Sequence, residues 1–501
     1  MPCSSGQGGN LADALSRQAQ SRPHAIAIHL PDRTISFEQL DEFTWRAASL
    51  LQRGGVRPGD VVGLTFASEL LLIIAMLATA RIGATVFSIP MQTPEPLHRE
   101  MCKKANIRLV ASDLSKGNPS DLPEIRVDFP RLGETDFPSQ FTVRESNPSA
   151  PWLLISGTGS TGESKLIAVS HQQAIARNSL LKHWLPMTQH DRVTTLSHLD
   201  FTAPKHRYLE ILHAGASMVL FNRDTEDPIE LCKRFQLDIL HATVVHVEQM
   251  LKSVPPELQN QLPQLKALTI GASTVSDDLR KRIAKSLTQN LYVRYATNET
   301  GPLSVASPPE VFSIPGSIGR PLPEVTVEIV DRTNQKLAPC NIGLIRVRSP
   351  AIVDQYVDNP SATKRAFISS WFFPGDTVKM NDSGHLVYYG RADHMMIMNG
   401  INIYPAEIER VITTHPSVCD AATMPIDSPV HQHIPVCAVV LKDELTATER
   451  DLLDFSFQHL GERSPKRIVM LKKIPRNTQG KLIRAELAAD IARHLGLRLE
   501  P

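Results

Sequence analysis

The sequence lacks the marks of several large classes of protein. Its 501 residues carry a formal net charge of +1, so there is no basic excess of the kind that nucleic-acid or membrane-surface binding needs. The N-terminal stretch has neither the basic start nor the apolar core of a signal peptide. The longest apolar run, residues 70–80, has 11 residues, against the ~18 that a membrane-spanning helix needs. We therefore expect a cytoplasmic protein with no nucleic-acid partner and no membrane insertion.

Cysteine and histidine give no sign of a metal site. The 6 cysteines are scattered without a C-x-x-C pair, which predicts reduced and mostly buried thiols. His431 and His433 are too sparse for a metal centre, so we expect a solvated loop there. The nucleophile motif G-x-S-x-G of many hydrolases is also absent, which leaves hydrolase chemistry with little support.

Periodicity predicts an α/β chain. Ser36 and Gln39 predict the start of a helix. The side chain of each would accept a hydrogen bond from the free main-chain N–H of the other. A strand over 61–66, a helix over 69–82 and a strand over 84–89 follow. This order of apolar elements implies a parallel sheet that is covered on both faces. The same alternation resumes further along the chain.

Length and composition divide the chain into two predicted domains. At 501 residues it exceeds what one ordinary core holds. Residues 112–151 are rich in Pro, Ser and Asp, and we expect them to form a surface excursion within the first domain. The last stretch, about 110 residues, is large enough to fold separately. We predict a large domain over 1–390 and a small domain over 391–501.

One loop is rich in glycine and hydroxyl residues. It lies between an apolar run at 152–155 and a β-branched run at 167–169, so we expect a loop between two strands. Glycine lets main-chain N–H groups converge, and Ser and Thr add donors, so such a loop can surround a polyphosphate. A polar linker is one alternative, whereas the kinase and GTPase loop G-x-x-x-x-G-K-[ST] does not fit, because Glu163 stands where its Lys is required. The loop comprises Ser156, Gly157, Thr158, Gly159, Ser160, Thr161 and Gly162, and Lys165 follows it.

A second polar stretch lies at 292–301. Tyr295 can stack on a purine, and Glu299, four residues later, can hold the Mg²⁺ that gathers phosphates. A strand that ends in a turn, with Tyr295 in the core, is the alternative. Asp376 then follows an aromatic run, and Lys481 follows a glycine on a turn. Each of these motifs is common on its own. Their occurrence in this order along one chain is the informative feature.

Taken in order, these motifs resemble those of the adenylate-forming enzymes, the superfamily of acyl-CoA synthetases, peptide-synthetase adenylation domains and luciferases. In the loop, Ser164 and Leu166 stand where family members usually carry Pro and Gly. In the second stretch, Ala296 and Asn298 replace a Gly and the Thr that contacts the α-phosphate. Residues 400–409 resemble the G-x-N-I-Y-P-A-E-I-E segment of acid–CoA ligases in particular.

The resemblance implies a role for each motif. Lys481 would neutralise charge on the α-phosphate, and Glu299 together with Thr161 would hold Mg²⁺. Asp393 would be the hinge about which the small domain rotates between two half-reactions. The implied ATP- and AMP-binding residues are Ser156, Gly157, Thr158, Gly159, Ser160, Thr161, Gly162, Lys165, Gly271, Ala272, Ser273, Tyr295, Asn298, Thr300, Asp376 and Arg391.

The acid-binding pocket is the least determined part. The resemblance places His198, Asp200, His241 and Thr243 in its region. An inward-facing Asp200 would make an amino acid plausible, because a carboxylate pairs with an amine. An inward-facing His198 would favour a fatty or aromatic acid. A histidine satisfied in the core and an aspartate on the surface remain the alternatives.

The resemblance also implies a fold class and an activity. The fold class is α/β, with a large N-terminal domain of doubly wound mixed sheets and a smaller, mobile α+β C-terminal domain. The activity is that of an acid–CoA ligase, in which ATP and Mg²⁺ convert a small carboxylic acid to an acyl-adenylate and the thiol of CoA then takes the acyl group. One alternative is a stand-alone ligase that loads the phosphopantetheine arm of an acyl carrier protein. Another is a nucleotide-binding relative that no longer catalyses, which the departures at Ser164, Leu166, Ala296 and Asn298 motivate.

Overall fold

A computed structural model of the chain describes most of the sequence. The described residues are 9–113, 120–135, 147–158, 164–182, 184–185, 187–223, 225–255, 257–399, 401–428, 430–442, 446–477 and 480–496. Among them, no helix combines the length and the apolar character that crossing a bilayer requires.

Helices begin where the sequence supplies caps. The Ser36 hydroxyl accepts from Gln39 N, and the Gln39 side chain accepts from Ser36 N, so the predicted capping box is confirmed. Ser170 and Gln173 repeat this arrangement. Helices α1 to α15 are Asp13–Ser21, Phe37–Arg53, Glu69–Ile82, Glu95–Lys104, Phe129–Glu134, His171–Leu181, Thr202–Ala214, Pro228–Arg234, Val244–Ser253, Asp277–Ser286, Pro308–Ser313, Pro360–Ala366, Pro405–Ile412, Glu449–Leu460 and Arg484–Leu495, with 3₁₀ turns at Ala392–His394 and Gly461–Arg463.

Strands alternate with these helices through most of the chain. Strands β1 to β27 are Ile26–His29, Thr34–Ser36, Val61–Thr65, Thr85–Ser88, Leu109–Ser112, Glu124–Arg126, Pro151–Thr158, Ser164–Ser170, Arg192–Thr195, Ser217–Val219, Ile239–Ala242, Ala267–Ile270, Leu291–Thr297, Gly301–Ala306, Ser317–Pro321, Thr326–Val330, Ile342–Arg348, Tyr356–Val357, Phe367–Ile368, Trp371–Phe372, Asp376–Met380, Leu386–Arg391, Met396–Met398, Ile401–Ile403, Val418–Ser428, Gln432–Leu441 and Arg467–Met470.

The chain folds into two compact units. Unit 1 comprises Met1–His241, Thr297–Pro302 and Ser349–Phe367, and unit 2 comprises Ala242–Ala296, Leu303–Arg348 and Ile368–Pro501. Each unit therefore combines stretches that are distant in sequence. The predicted domain boundary at residue 390 stays a prediction.

Unit 1 contains a mixed seven-stranded sheet in the order β18-β8-β7-β4-β3-β5-β6. Strands β3, β4, β5, β6 and β7 run parallel, whereas β8 is antiparallel to both β7 and β18. Strands β11, β9, β10 and β1 form a second parallel set, which β2 ends as an antiparallel edge. Helix α3 is buried on nearly every face, because its sequence is apolar all round.

Unit 2 contains an antiparallel region and a small sheet. Strands β12 and β13 pair in parallel, and β14, β15, β22, β21 and β17 continue as antiparallel neighbours. The small sheet has the order β24-β23-β26-β25, with β27 parallel to β26. Helices α13 and α14 pack on this sheet through a core that includes Met396, Ile408 and Leu452.

Most predicted elements are confirmed, and two predictions need correction. Residues 112–151 are not only a surface excursion, because β6 pairs with β5 and α5 follows it. His433 lies in β26 and not in a loop. The common reason is that sheet pairing and packing partners are remote in sequence and leave no local pattern. The expectation of mostly buried thiols holds for the described cysteines, since Cys102, Cys232 and Cys437 are buried and Cys340 and Cys419 are exposed.

We expect Gly319→Ala to destabilise the protein more than Gly384→Ala. Both glycines have positive φ, +83° and +81°, so alanine is strained at either position by ~1–2 kcal/mol. Only at Gly319 would the new Cβ lie 2.0 Å from Val305 C, whereas no described heavy atom lies within 4 Å at Gly384. We expect an additional loss in the free energy of unfolding of about 1–3 kcal/mol for Gly319→Ala, measured by urea unfolding followed by circular dichroism. Equal urea midpoints for the two variants would contradict this account of the β14–β15 contact.

Candidate nucleotide-binding and catalytic site

The glycine- and hydroxyl-rich loop connects two paired strands, as predicted. Strands β7 and β8 form a hairpin whose register runs from Pro151 opposite Ser170 to Thr158 opposite Ser164. The antiparallel pairing places Ser156 and Gly157 next to the tip of the hairpin. Gly159, Ser160, Thr161 and Gly162 lie outside the described residues, so their phosphate contacts and the Mg²⁺ contact of Thr161 stay predictions.

Tyr356 connects the end of this hairpin to Glu299. The Lys165 ammonium lies 4.8 Å from the centre of the Tyr356 ring, and the Tyr356 hydroxyl donates to Glu299 Oε1 at 2.8 Å. Tyr356 is placed there because β18 pairs with β8, with Tyr356 opposite Ile167. The carboxylate predicted to hold Mg²⁺ is thus oriented by a hydrogen bond from a residue of β18, the strand that pairs with β8 of the hairpin.

The main chain at Glu299 is held by a buried arginine. Arg177 Nη2 donates to the carbonyl oxygens of Asn298 and Glu299, at 3.0 and 3.2 Å. Val353 N also donates to Glu299 O at 2.9 Å. Side chain and main chain of Glu299 are therefore both fixed by residues of unit 1.

Asn298 lies close to the predicted phosphate loop, whereas Thr300 does not present its hydroxyl. A Cβ placed on Gly157 would lie 3.9 Å from Asn298 Nδ2. Thr300 is 0% exposed, and its hydroxyl contacts Gly301 O at 2.8 Å and Thr297 Oγ1 at 3.0 Å. The Thr300 hydroxyl is thus paired with neighbouring residues of its own turn, and the α-phosphate contact expected of Asn298 or Thr300 stays a prediction.

A cluster in unit 2 orients the carboxylate of Asp376. Tyr295 donates its hydroxyl to Asp376 Oδ2 at 2.5 Å, and Tyr388 donates to Oδ1 at 3.3 Å. Arg391 Nη1 lies 3.5 Å from Oδ1. Burial raises the pKa of Asp376, which the Arg391 charge and the tyrosine hydroxyls oppose. The sequence separates these four residues, and the pairing of β21 with β22 places Asp376 opposite Arg391.

The loop that carries Lys481 is braced from within unit 2. Arg476 forms a two-pronged contact with Asp420 and donates to Gly480 O at 3.2 Å. Lys481 N donates to Asn477 Oδ1 at 3.0 Å. The Lys481 side chain is exposed. The turn is therefore rigid in its main chain while its ammonium remains accessible.

This lysine loop lies against the small-residue segment 271–273. A Cβ placed on Gly480 would lie 3.5 Å from Ser273 Oγ and 3.0 Å from Val245 Cγ2. Ala272 has a φ of +71°, a conformation that non-glycine residues seldom adopt. Gly271, Ala272 and Ser273 are thus brought next to the segment that precedes Lys481. Asp393 lies in the 3₁₀ turn between β22 and β23, where Arg391 Nε donates to it at 3.3 Å.

The residues predicted for the acid pocket differ in burial. The His198 side chain is 55% exposed and lies 3.9 Å from Glu69. Asp200 Oδ1 is inaccessible to solvent and accepts no hydrogen bond from the described residues. Burial raises the pKa of Asp200, and the neighbouring Lys205 ammonium opposes this. In unit 1 His241 is buried at the end of β11, and in unit 2 the Thr243 hydroxyl lies 3.0 Å from His246 Nδ1.

Three residues of these clusters were not identified from the sequence. Tyr356 and Tyr388 had no motif to mark them, since Tyr356 acts through Glu299, 57 residues away, and Tyr388 acts through Asp376 on the neighbouring strand β21. Arg177 did have a signal. It lies at the apolar period of α6, three residues after Ala174 and four before Leu181, both of which are buried. A charged residue on the buried face of a helix indicates a specific partner.

The described side chains suit Mg²⁺ rather than a transition metal. Among them, no three His, Cys, Asp or Glu residues gather in a metal-binding group. Mg²⁺ characteristically takes one or two protein carboxylates and completes its shell with phosphate oxygens and water. The single oriented carboxylate of Glu299 fits this requirement.

The chain is similar to known proteins over most of its length. The sequence profile of AMP-binding enzymes matches residues 15–357, and that of the AMP-binding enzyme C-terminal domain matches residues 407–481. An indoleacetate–CoA ligase of Aromatoleum aromaticum is 26% identical over 96% of this chain and 98% of its own length. A fatty acid–[acyl-carrier-protein] ligase, MmaC, of Mycobacterium marinum is 27% identical over 96% of this chain and 97% of its own. The structure of ATP-bound MatB from Rhodopseudomonas palustris, 21% identical, has a TM-score of 0.88 and covers 98% of this chain and 100% of that chain, which shows a shared fold.

The two family profiles match the N-terminal and the C-terminal part of the chain, respectively. The predicted fold class, a large region of mixed α/β sheets with a smaller C-terminal domain, is confirmed by the shared fold. The prediction of an adenylate-forming ligase of the acyl-CoA synthetase type is confirmed at the level of the family. Because the AMP-binding profile spans more than half of the sequence, the chain belongs to the AMP-binding enzyme family, the adenylate-forming enzymes.

Proposed function

We propose that this enzyme activates a carboxylic acid with ATP and passes the acyl group to the thiol of CoA. The observation that carries the proposal is the exposed lysine at 481, which a braced turn holds against the segment 271–273. The small side chains of this segment would let the flat base of the nucleotide and the acid lie against the main chain. A fixed cation beside the segment would then be placed to neutralise the α-phosphate of that nucleotide.

In the first step a carboxylate oxygen of the acid attacks the α-phosphorus of ATP. The bond from that phosphorus to the bridging oxygen breaks, and pyrophosphate leaves with the bonding electrons. Negative charge builds on the α-phosphate during this displacement, so a cation is more stabilising in the transition state than in the ground state. We assign this role to Lys481. Asp376, ionised and held by Tyr295 and Tyr388, accepts hydrogen bonds from the ribose hydroxyls.

Glu299 would hold Mg²⁺, and the loop Ser156 to Lys165 would surround the β- and γ-phosphates. When bound, Mg²⁺ supplies charge neutralisation to these phosphates. The chain's own contribution is orientation, because Tyr356 and Arg177 fix Glu299 before the nucleotide arrives. Pre-organised groups stabilise charge without reorganisation during the reaction.

In the second step the thiol attacks the acyl carbon of the adenylate, and AMP leaves. The thiol must reach a carbon that lies next to Lys481, so we propose that residues 391–501 rotate about Asp393 and withdraw the lysine. A hinge needs only a few positions that absorb a large change in dihedral angles.

The acid is best sought among fatty and aromatic acids. Burial raises the pKa of Asp200 and lowers the pKa of the neighbouring Lys205 to about 7, so both groups are pushed towards their neutral forms and Asp200 does not demand an amine from the substrate. His198 is exposed and imposes no buried charge either. The indoleacetate and fatty acid named for two relatives fall in these classes.

A second candidate function is the loading of a carrier protein's phosphopantetheine arm. It uses the same residues, and MmaC, which is named as a ligase of an acyl carrier protein, motivates it. The segment 400–409 favours CoA, because its wording resembles that of acid–CoA ligases. A non-catalytic nucleotide binder is disfavoured by the oriented carboxylates of Glu299 and Asp376.

A screen of ATP–pyrophosphate exchange across fatty, aryl and amino acids tests the proposal. We expect exchange with at least one fatty or aryl acid, because both steps of the exchange need only the adenylation residues. Product thioester is then measured with free CoA and with a phosphopantetheinylated carrier protein. Exchange with amino acids alone would contradict the acid class, and thioester with the carrier alone would contradict CoA as the acceptor.

We expect Lys481→Ala to lower the exchange rate with the true acid by ~10²–10³-fold, the usual effect of losing a contact that stabilises transition-state charge. The fold should be unaffected, because the Lys481 side chain is exposed. Lys472→Ala, an exposed lysine of the same region, is the matched control and should leave the rate unchanged. An unchanged rate in Lys481→Ala would refute the role of this lysine.

We expect Asp393→Pro to spare adenylation and to cripple thioester formation, because proline restricts the φ angle on which the proposed rotation depends. Asp393→Ala is the control that removes the contact with Arg391 while it keeps main-chain freedom. Single-turnover measurements separate adenylate formation from thioester formation. Equal loss of both steps in Asp393→Pro would rule out the hinge.

A further inference from the structure

Arg177 is the most unusual charged residue of unit 1. It is 2% exposed, in the middle of α6. Its guanidinium donates to the carbonyl oxygens of Asn298, Glu299 and Ala351, at 3.0, 3.2 and 3.4 Å, and Nη1 lies 3.1 Å from His206 Nε2. A buried charge is costly unless its hydrogen bonds are satisfied, and here main-chain carbonyls satisfy them.

The arginine remains charged in this environment. Burial lowers the pKa of Arg177 to about 10, and the charge of Glu299 opposes this effect. At neutral pH the guanidinium is therefore a cation beside the carboxylate that we assign to Mg²⁺. Its contacts with Asn298 and Glu299 reach across 121 and 122 residues of sequence, so they join α6 to the turn after β13.

The turn is shaped to receive this side chain. Gly301 has a φ of +66°, and a Cβ placed there would lie 2.6 Å from Arg177 Cγ and 2.8 Å from Nε. Any larger residue at 301 would therefore displace the arginine. The space that a side chain at 301 would fill is thus occupied by Arg177.

We propose that Arg177 is a positioning residue for the metal-binding carboxylate. It fixes the main chain of Asn298 and Glu299, so that the Glu299 carboxylate meets the Tyr356 hydroxyl and the Asn298 amide lies towards Gly157. The inference rests on the proposed role of Glu299 in holding Mg²⁺. Arg177 itself touches neither nucleotide nor metal in this account.

A second buried arginine provides a matched control. Arg280 is also 2% exposed and donates to the carbonyl oxygens of Val275, Val311 and Ser317. It lies in unit 2 and contacts none of the predicted site residues among the described part of the chain. In either variant three carbonyl groups lose a hydrogen-bond donor. We therefore expect both variants to lose a similar amount of folding stability.

The test compares Arg177→Gln, Arg177→Lys and Arg280→Gln in the full-length enzyme. For each, the melting temperature and the Kd for ATP are measured with Mg²⁺ and with EDTA. Residues that orient a metal ligand typically contribute ~10–100-fold to metal affinity. We expect the Mg²⁺-dependent gain in ATP affinity to fall at least about tenfold in Arg177→Gln, to be partly restored in Arg177→Lys, and to stay unchanged in Arg280→Gln.

The outcomes are distinguishable. If Arg177→Gln and Arg280→Gln lower the melting temperature alike and both keep the gain from Mg²⁺, Arg177 is only structural and the inference is overturned. If Arg177→Gln does not fold, the test uses Arg177→Lys, which keeps the charge but reaches fewer carbonyls. The quantity compared is again the gain in ATP affinity that Mg²⁺ causes. A wild-type protein without any gain from Mg²⁺ would overturn the role of Glu299 and this inference together. Failure of every acid in the exchange screen would overturn the proposed function and leave the Mg²⁺ comparison intact.

Discussion

The orientation of two carboxylates, one in each unit, is the constraint on which the proposed function depends most. Glu299 receives a hydrogen bond from Tyr356, and its main chain is held by Arg177. Asp376 receives hydrogen bonds from two tyrosines and lies beside Arg391. In both cases a tyrosine hydroxyl supplies direction. Arg177 holds the main chain at Glu299, whereas the Arg391 charge opposes the rise that burial causes in the pKa of Asp376. Each carboxylate is thus held in one orientation by hydrogen bonds from residues of its own unit.

The lysine loop meets a different requirement of the proposed function, in which its cation is placed accurately in the first step and withdrawn in the second. The bracing is local: Arg476 joins Asp420 to Gly480 O, and Asn477 holds Lys481 N. Nothing in this bracing involves the ammonium, which stays exposed. Because its hydrogen bonds are local, the turn would keep its shape if the small domain rotated. The proposed two-step reaction requires such a turn.

The departures from the family's usual wording have structural explanations at two positions. Leu166, where a glycine is common, is 5% exposed and packs in a core with Phe87 and Ile107. Its register partner is Val357 in β18, the strand that also carries Tyr356. The larger residue therefore contributes to the packing that positions Tyr356. At Asn298, the amide lies near Gly157 and can donate a hydrogen bond where the family has a threonine hydroxyl.

The sequence by itself determined the features that depend on neighbouring residues. Helix caps such as Ser36 with Gln39, the strand–loop–strand arrangement around Gly157, and the ordered motifs that ended in Lys481 all follow from local chemistry and spacing, and they were sufficient to indicate the enzyme family. Only the tertiary structure decided which groups meet across long separations. Arg177 reaches Glu299 over 122 residues and Tyr356 reaches it over 57, and strand pairing and helix packing alone create such contacts. The same reason applies to Thr300 and Asp200, because burial depends on what the rest of the chain packs against them.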